Sequence, residues 1–102
     1  MPTRLDMLRA FLVQHPHDPF PRYGLAMEHK NVGNLEEASR EFDVLMSAHP
    51  SYTAAYLHAG NTLVALGRAD EARGVYERGL EVCRERGDTH AAGELETALS
   101  SL

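Results

Sequence analysis

Gly33-Asn34-Leu35-Glu36-Glu37-Ala38 and Gly67-Arg68-Ala69-Asp70-Glu71-Ala72 are the same phrase written twice, 34 residues apart. Four positions further on, Phe42 falls on Tyr76, and upstream and downstream His15-Pro16 and His49-Pro50 keep the same interval. A fixed period between about 20 and 50 residues marks a stacked repeat, in which each unit buries its apolar face only against its neighbours. Turn residues at fixed offsets, each followed by an acidic first turn and then an apolar run, describe helices joined by short turns.

Working outward from that phrase, six helices exhaust the chain, which reads as all-α. Thr3 with Asp6 offers a capping pair for a first helix carrying Leu5, Leu8, Phe11 and Leu12, which Pro16 ends. Asp18 caps a second helix with Pro19 in its first turn, where a missing N–H costs nothing; Leu25, Ala26 and His29 share a face, and Gly33 stops it. Asn34 with Glu37 is expected to cap the third, lined by Phe42, Leu45 and Met46. Ser51 is expected to open the fourth, carrying Tyr56, Ala59, Gly60 and Leu63 up to Gly67. The fifth spans about Ala69–Arg86 with Ala72, Tyr76 and Leu80 inside, and Gly87 is placed to end it. Asp88 begins the last, with Ala91, Leu95, Ala98, Leu99 and Leu102 on one stripe.

These residues resemble the tetratricopeptide repeat, a 34-residue helix–turn–helix unit with a loose W-x2-L-G-x2-Y…A-x3-F…P signature. In residues 19–52, Ala38-x3-Phe42 and Pro50 match; Leu25-Ala26 stands for Leu-Gly, Arg22 for the Trp and His29 for the Tyr. In residues 53–86, Ala72-x3-Tyr76 and Ala59-Gly60 follow the pattern, with Tyr56 for Trp, Leu63 for Tyr and Arg84 for Pro. Residues 1–18 read as the second helix of an absent earlier unit, and 87–102 as a capping helix. The stretch Asp18–Ala26 is also similar to the opening of small stand-alone bacterial members of the family. The resemblance implies a right-handed superhelix of antiparallel helix pairs over a single domain, 1–102. Independently of it, Ala26, Gly60, Ala38 and Ala72 are small where paired backbones must approach, since close-packed cores do not absorb extra methylenes.

The bulk numbers narrow the function. With 102 residues, 43% of them apolar, the chain can build one core without disulfides, and a single cysteine, Cys83, forms no internal bridge. Neither a secretory leader nor an apolar run near the ~18 residues of a membrane span is present, so a cytoplasmic protein is expected. Net charge is −5, graded from +1 over residues 1–34 to −2 over 35–68 and −4 over 69–102. An acidic body repels phosphate backbones and disfavours nucleic-acid binding. Isoleucine is absent and Lys30 is the sole lysine against nine arginines, the bias of a GC-rich genome.

Chemical motifs are few. His15-Pro16-His17-Asp18 crowds three possible ligands into one turn, while His29 and His58 lack a Cys or Asp at i+3 or i+4. Turn formation and core filling account for them better than a metal site, which wants three or four ligands fixed by the fold. Cys83 has Arg84 and Arg86 beside it but sits at a helix C-terminus, which opposes thiolate formation. Arg86-Gly87-Asp88 is helix punctuation. Phosphate loops, HExxH and CxxC are absent, and no enzyme or cofactor is expected.

The family resemblance instead implies a concave groove lined by the first helix of each pair, taking a peptide or helix of a protein partner. Carried over by position, it would show Phe20, Tyr23, Met27, Lys30 and Asn31, then Ala54, Leu57, Asn61, Val64 and Ala65, with parts of Ala91 and Leu95. Phe20 and Tyr23 could equally fold back over the first helix as core. Members that hold acidic chaperone C-termini use a basic clamp; here Tyr23 and Met27 replace its first Lys and Asn and only Asn61 matches, so apolar anchors are expected. The alternatives are a self-associating structural protein, pairing weakly through Leu5 and Leu8 of the N-terminal helix, and, further down, a histidine-based metal module.

Overall fold

A computed structural model describes all 102 residues and consists of six helices joined by turns: α1 Arg4–Gln14, α2 Pro19–Asn31, α3 Leu35–Ala48, α4 Ala54–Ala65, α5 Ala69–Arg86 and α6 Thr89–Ser100. Most boundaries have a local cause already visible in the sequence. Thr3 Oγ1 accepts the Asp6 amide and Asp6 Oδ2 accepts the Thr3 amide, both at 3.1 Å, a complete capping box. Asp18 accepts from the Phe20 amide, with Pro19 in the first turn, and Asp88 accepts from the Ala91 amide.

The repeated glycines end helices by one mechanism. Gly33, Gly67 and Gly87 have φ of 85°, 77° and 70°, a region open to glycine and strained for other residues. At the first, Asn34 N–H bonds to the His29 carbonyl and Gly33 N–H to that of Lys30. The pattern recurs as Arg68 to Leu63 with Gly67 to Val64, and as Asp88 to Cys83 with Gly87 to Arg84. These are Schellman motifs, which satisfy the last carbonyls of a helix.

Two helix starts differ from expectation. Asn34 makes no side-chain cap; its Nδ2 lies 3.4 Å from Nδ1 of His29 instead. Helix α4 begins at Ala54 rather than Ser51, because residues 49–53 form a separate turn. There Tyr52 N–H bonds to the His49 carbonyl, and the Tyr56 hydroxyl donates to the Pro50 carbonyl at 2.6 Å. Thr53, the residue before α4, donates through Oγ1 to Asp88 at 2.8 Å, tying the start of α4 to the start of α6.

Helices α2 and α3 fall within residues 19–52, and α4 and α5 within 53–86. One contiguous core of 15 buried residues runs from α2 to α6, and α1 contributes none of them. Ala26, Ala38 and Ala72 are wholly inaccessible, as small residues at backbone contacts must be, and Phe42 and Tyr76 wedge beside them. The departures from the repeat signature are compensated: Arg22 pairs with Glu41 across α2 and α3 at 2.9 Å, and His29 fills the core at an aromatic position.

The molecule measures 42 × 29 × 19 Å. The shortest dimension equals about two helix diameters, so the helices form two rows with no third layer. Along one row α2 touches α4 and α4 touches α6; along the other, α1, α3 and α5 do not reach one another. The closer row is therefore the inside of the curve, and α2, α4 and α6 face a concave surface.

Candidate functional site

The concave face is built around Tyr23. Its ring meets Tyr52 edge-on with centroids 5.3 Å apart, His58 at 5.9 Å and Phe42 at 6.5 Å. Tyr23 is half-buried rather than free, as are Met27 and Leu57, all three packed against the core. Such side chains form the floor of a groove. Lys30 stands beside them, and burial pushes its ammonium below the usual lysine range. Asn31 is exposed at the end of α2.

Towards the C-terminal end the face opens into a cavity of about 350 Å³ lined by Asn61, Val64, Tyr76, Ala98, Ser101 and Leu102. The Tyr76 hydroxyl donates to Asn61 Oδ1 at 2.6 Å, so the amide is oriented by the core beneath it. Val64 is 42% exposed at this cavity, an apolar side chain presented to solvent. Ala98, Ser101 and Leu102 were not among the expected groove residues. Tyr76 carried a signal, since a tyrosine where the preceding repeat has Phe42 needs a partner for its hydroxyl.

Two expected groove residues lie elsewhere. Leu95 is fully buried under α5 and presents no surface, because α6 packs its stripe inward against a core open at that end. Phe20 lines a different cavity with Arg4, Met7, Leu8, Phe11 and Pro21, between α1 and α2. Its place in the first turn of α2 sets it beside α1, away from α4. Tyr23, Met27, Lys30, Leu57, Asn61 and Val64 therefore form the candidate site, with Asn31 at its edge.

His58 is a component that sequence reading assigned to no surface. Its Nδ1 is buried without a hydrogen-bond partner. Burial, then the Lys30 charge, hold its pKa below the ordinary histidine value, while Glu94 from α6 pulls weakly the other way. The fold thus favours neutral His58, and the unfolded chain, with a value of about 6.5, binds the proton first. Stability is fully present above the unfolded value and declines as pH falls through it towards the folded one. Melting temperature should fall more steeply between pH 7.5 and pH 5.5 in the wild type than in His58→Gln. Equal slopes would show that this imidazole does not resist protonation.

The remaining histidines and Cys83 do not converge. No group of three or more His, Cys, Asp or Glu side chains is placed to hold a metal ion. His15 stacks on Phe11 at 4.5 Å, and buried Cys83 has its thiol pushed up by desolvation and by Asp88. No helix is long and apolar enough to cross a membrane.

No family model matches the chain. A TPR repeat-containing protein of Pseudomonas aeruginosa is 26% identical over 98 residues, spanning 96% of this chain and 93% of the relative. Among solved structures, a protein from Bordetella parapertussis superposes with a TM-score of 0.85 at 26% identity, over 99% of this chain and 88% of the other. A tetratricopeptide repeat domain protein from Salinibacter ruber gives a TM-score of 0.80 at 38% identity, over 84% of this chain and 87% of its own. That identity, together with the paired helices, the Schellman glycines and the Ala-x3-aromatic wedges, shows that the chain belongs to the tetratricopeptide repeat family.

Proposed function

We propose that this protein is a non-enzymatic adaptor whose concave face binds an extended or helical segment of another protein. Tetratricopeptide repeat proteins in general mediate protein–protein interactions. The observation that carries the reading is the apolar cavity at Asn61 and Val64 of α4, one helical turn from Leu57, which with Tyr23 and Met27 lies half-buried against the core. A cavity of that size accepts one or two apolar side chains, and the oriented Asn61 amide supplies directional hydrogen bonding at its edge. The floor is aromatic and aliphatic, and the charge of Lys30 beside it is met by Glu94 near Tyr23 and His58, so a ligand with apolar anchors rather than a carboxylate suits the site. The acidic body argues against a nucleic-acid ligand.

The test uses surface positions, because Met27 and Leu57 support the core and their charged variants would unfold the protein. Lys30→Glu combined with Val64→Glu should lower capture of interacting proteins from a bacterial lysate at least tenfold, with helicity unchanged. Val44→Glu, which alters an exposed residue of α3 on the opposite side, should leave capture as in the wild type. The reverse outcome, with interactors lost by Val44→Glu and kept by the groove variant, would move the binding surface to the convex side.

A further inference from the structure

Helix α1 occupies the register of a second helix, and α2 is the only helix that packs against it. A shift of 34 residues sets Arg4 on Ala38, Met7 on Glu41 and Phe11 on Leu45. In the complete repeat those positions are closed: Ala38 and Leu45 are wholly buried, and Glu41 reaches Arg22 on the mate helix. In α1 they are open. Met7 is 57% exposed, Phe11 51% and Phe20, from α2, 69%, around a cavity of about 220 Å³. Leu8, expected to face outward, turns one methyl to α2, where a Cβ on Gly24 would lie 3.1 Å from its Cδ2. The outward apolar residues are thus Met7, Phe11 and Phe20, and the space between them is the footprint of a helix.

We propose that a second copy of this chain fills that space, the two α1 helices pairing antiparallel about a two-fold axis between Met7 and Leu8. Each α1 then covers the outward face that the other leaves open. The spacing along the exposed stripe is self-complementary. With the axis between positions 7 and 8, residue 4 of one copy faces residue 11 of the other, so Arg4 comes over Phe11 at both ends. A guanidinium over an aromatic face is a favourable contact, and Arg4 is largely exposed despite its 3.2 Å pair with Glu28. At the opposite end the outward residues of α6 are polar, Glu96, Thr97 and Ser100, and the exposed apolar Leu102 lines the cavity with Val64 on the concave face. Head-to-tail stacking would bury the patch against polar groups, whereas an isologous contact meets its own kind and closes as a dimer.

The area sets the strength. Taking roughly 200 Å² for each of these side chains, their exposed fractions give about 350 Å² per copy, or about 700 Å² for the pair. Specific stable interfaces begin near ~1,000 Å², so the dimer forms at high micromolar concentration and dissociates on dilution.

Light scattering on the full chain should give twice the 11.3 kDa chain mass at high micromolar concentration. Phe11→Glu should return it to one chain mass. Val13→Glu, 75% exposed on the other face of α1, should remain dimeric. A second arm does not depend on a charged variant folding. Cys83 is buried, so Met7→Cys introduces one accessible thiol beside the axis, and mild oxidation should yield a covalent dimer that Val13→Cys does not form. A single-chain mass for the wild type, masses growing beyond the dimer, or equal cross-linking at positions 7 and 13 would each overturn the pairing.

Discussion

Phe42→Ala is expected to lower unfolding stability by about 3–5 kcal/mol, the range for truncating a buried aromatic residue. Phe42 has no accessible surface, and it packs among Ala38, Leu45 and Tyr23 where the α2–α3 pair meets α4. Domains of this size have about 5–15 kcal/mol in total, so the variant should melt well over ten degrees lower, or be unfolded at 37 °C. Phe11→Ala supplies the contrast. Phe11, which the 34-residue shift sets on the buried Leu45, is instead half-exposed on α1 and outside the core cluster, so its truncation should cost no more than about 1 kcal/mol. Urea titrations followed by far-ultraviolet circular dichroism measure both. Similar midpoints for the two would mean that the core does not close around Phe42.

The contrast between those phenylalanines also shows what was legible in the sequence. Helix ends could be read because their causes are local: a hydroxyl or carboxylate near an amide, a proline, a glycine able to adopt positive φ. The two starts that were misread are those where a side chain found a distant or competing partner. Asn34 turned to His29, and the α4 start was set by Tyr56 reaching the Pro50 carbonyl and Thr53 reaching Asp88. Neither partner follows from a short-range rule.

The site was less legible than the fold, for the same reason. Register assigns a residue to a helix face, but whether that face is floor, core or rim depends on what packs over it. Leu95 shares the periodicity of Ala91 and Ala98, yet it alone is sealed. Phe20 shares the register of Ala54, yet the neighbour it meets is α1, whose counterpart for Ala54 is α3. His58 has no counterpart among the signature positions, and only the approach of α2 and α6 shows that its ring is half enclosed.

Gly60→Ala should destabilise the protein by about 2 kcal/mol even though alanine is the better helix former by about 1 kcal/mol. The reason lies across the α4–α5 contact. A methyl carbon on Gly60 would sit 2.1 Å from Cε1 of Tyr76 and 2.5 Å from its Cδ1, closer than carbon atoms can pack. The ring cannot simply slide away, because Tyr76 is 2% exposed and its hydroxyl is held at 2.6 Å by Asn61. Overfilling such a contact costs about 1–3 kcal/mol and at times more, and a clash with a pinned ring belongs at or beyond the upper end. Gly74, in α5, has nothing within 4 Å of the same added atom. There only the gain in helix propensity remains, so Gly74→Ala should stabilise by about 0.5–1 kcal/mol. Two chemically identical substitutions should therefore move the melting temperature in opposite directions. A Tyr76→Leu background should also reduce the cost of Gly60→Ala by about 1 kcal/mol or more, since the two positions share one contact. Shifts of the same sign for both glycine variants, or strict additivity with Tyr76→Leu, would show that α4 and α5 are not packed this closely.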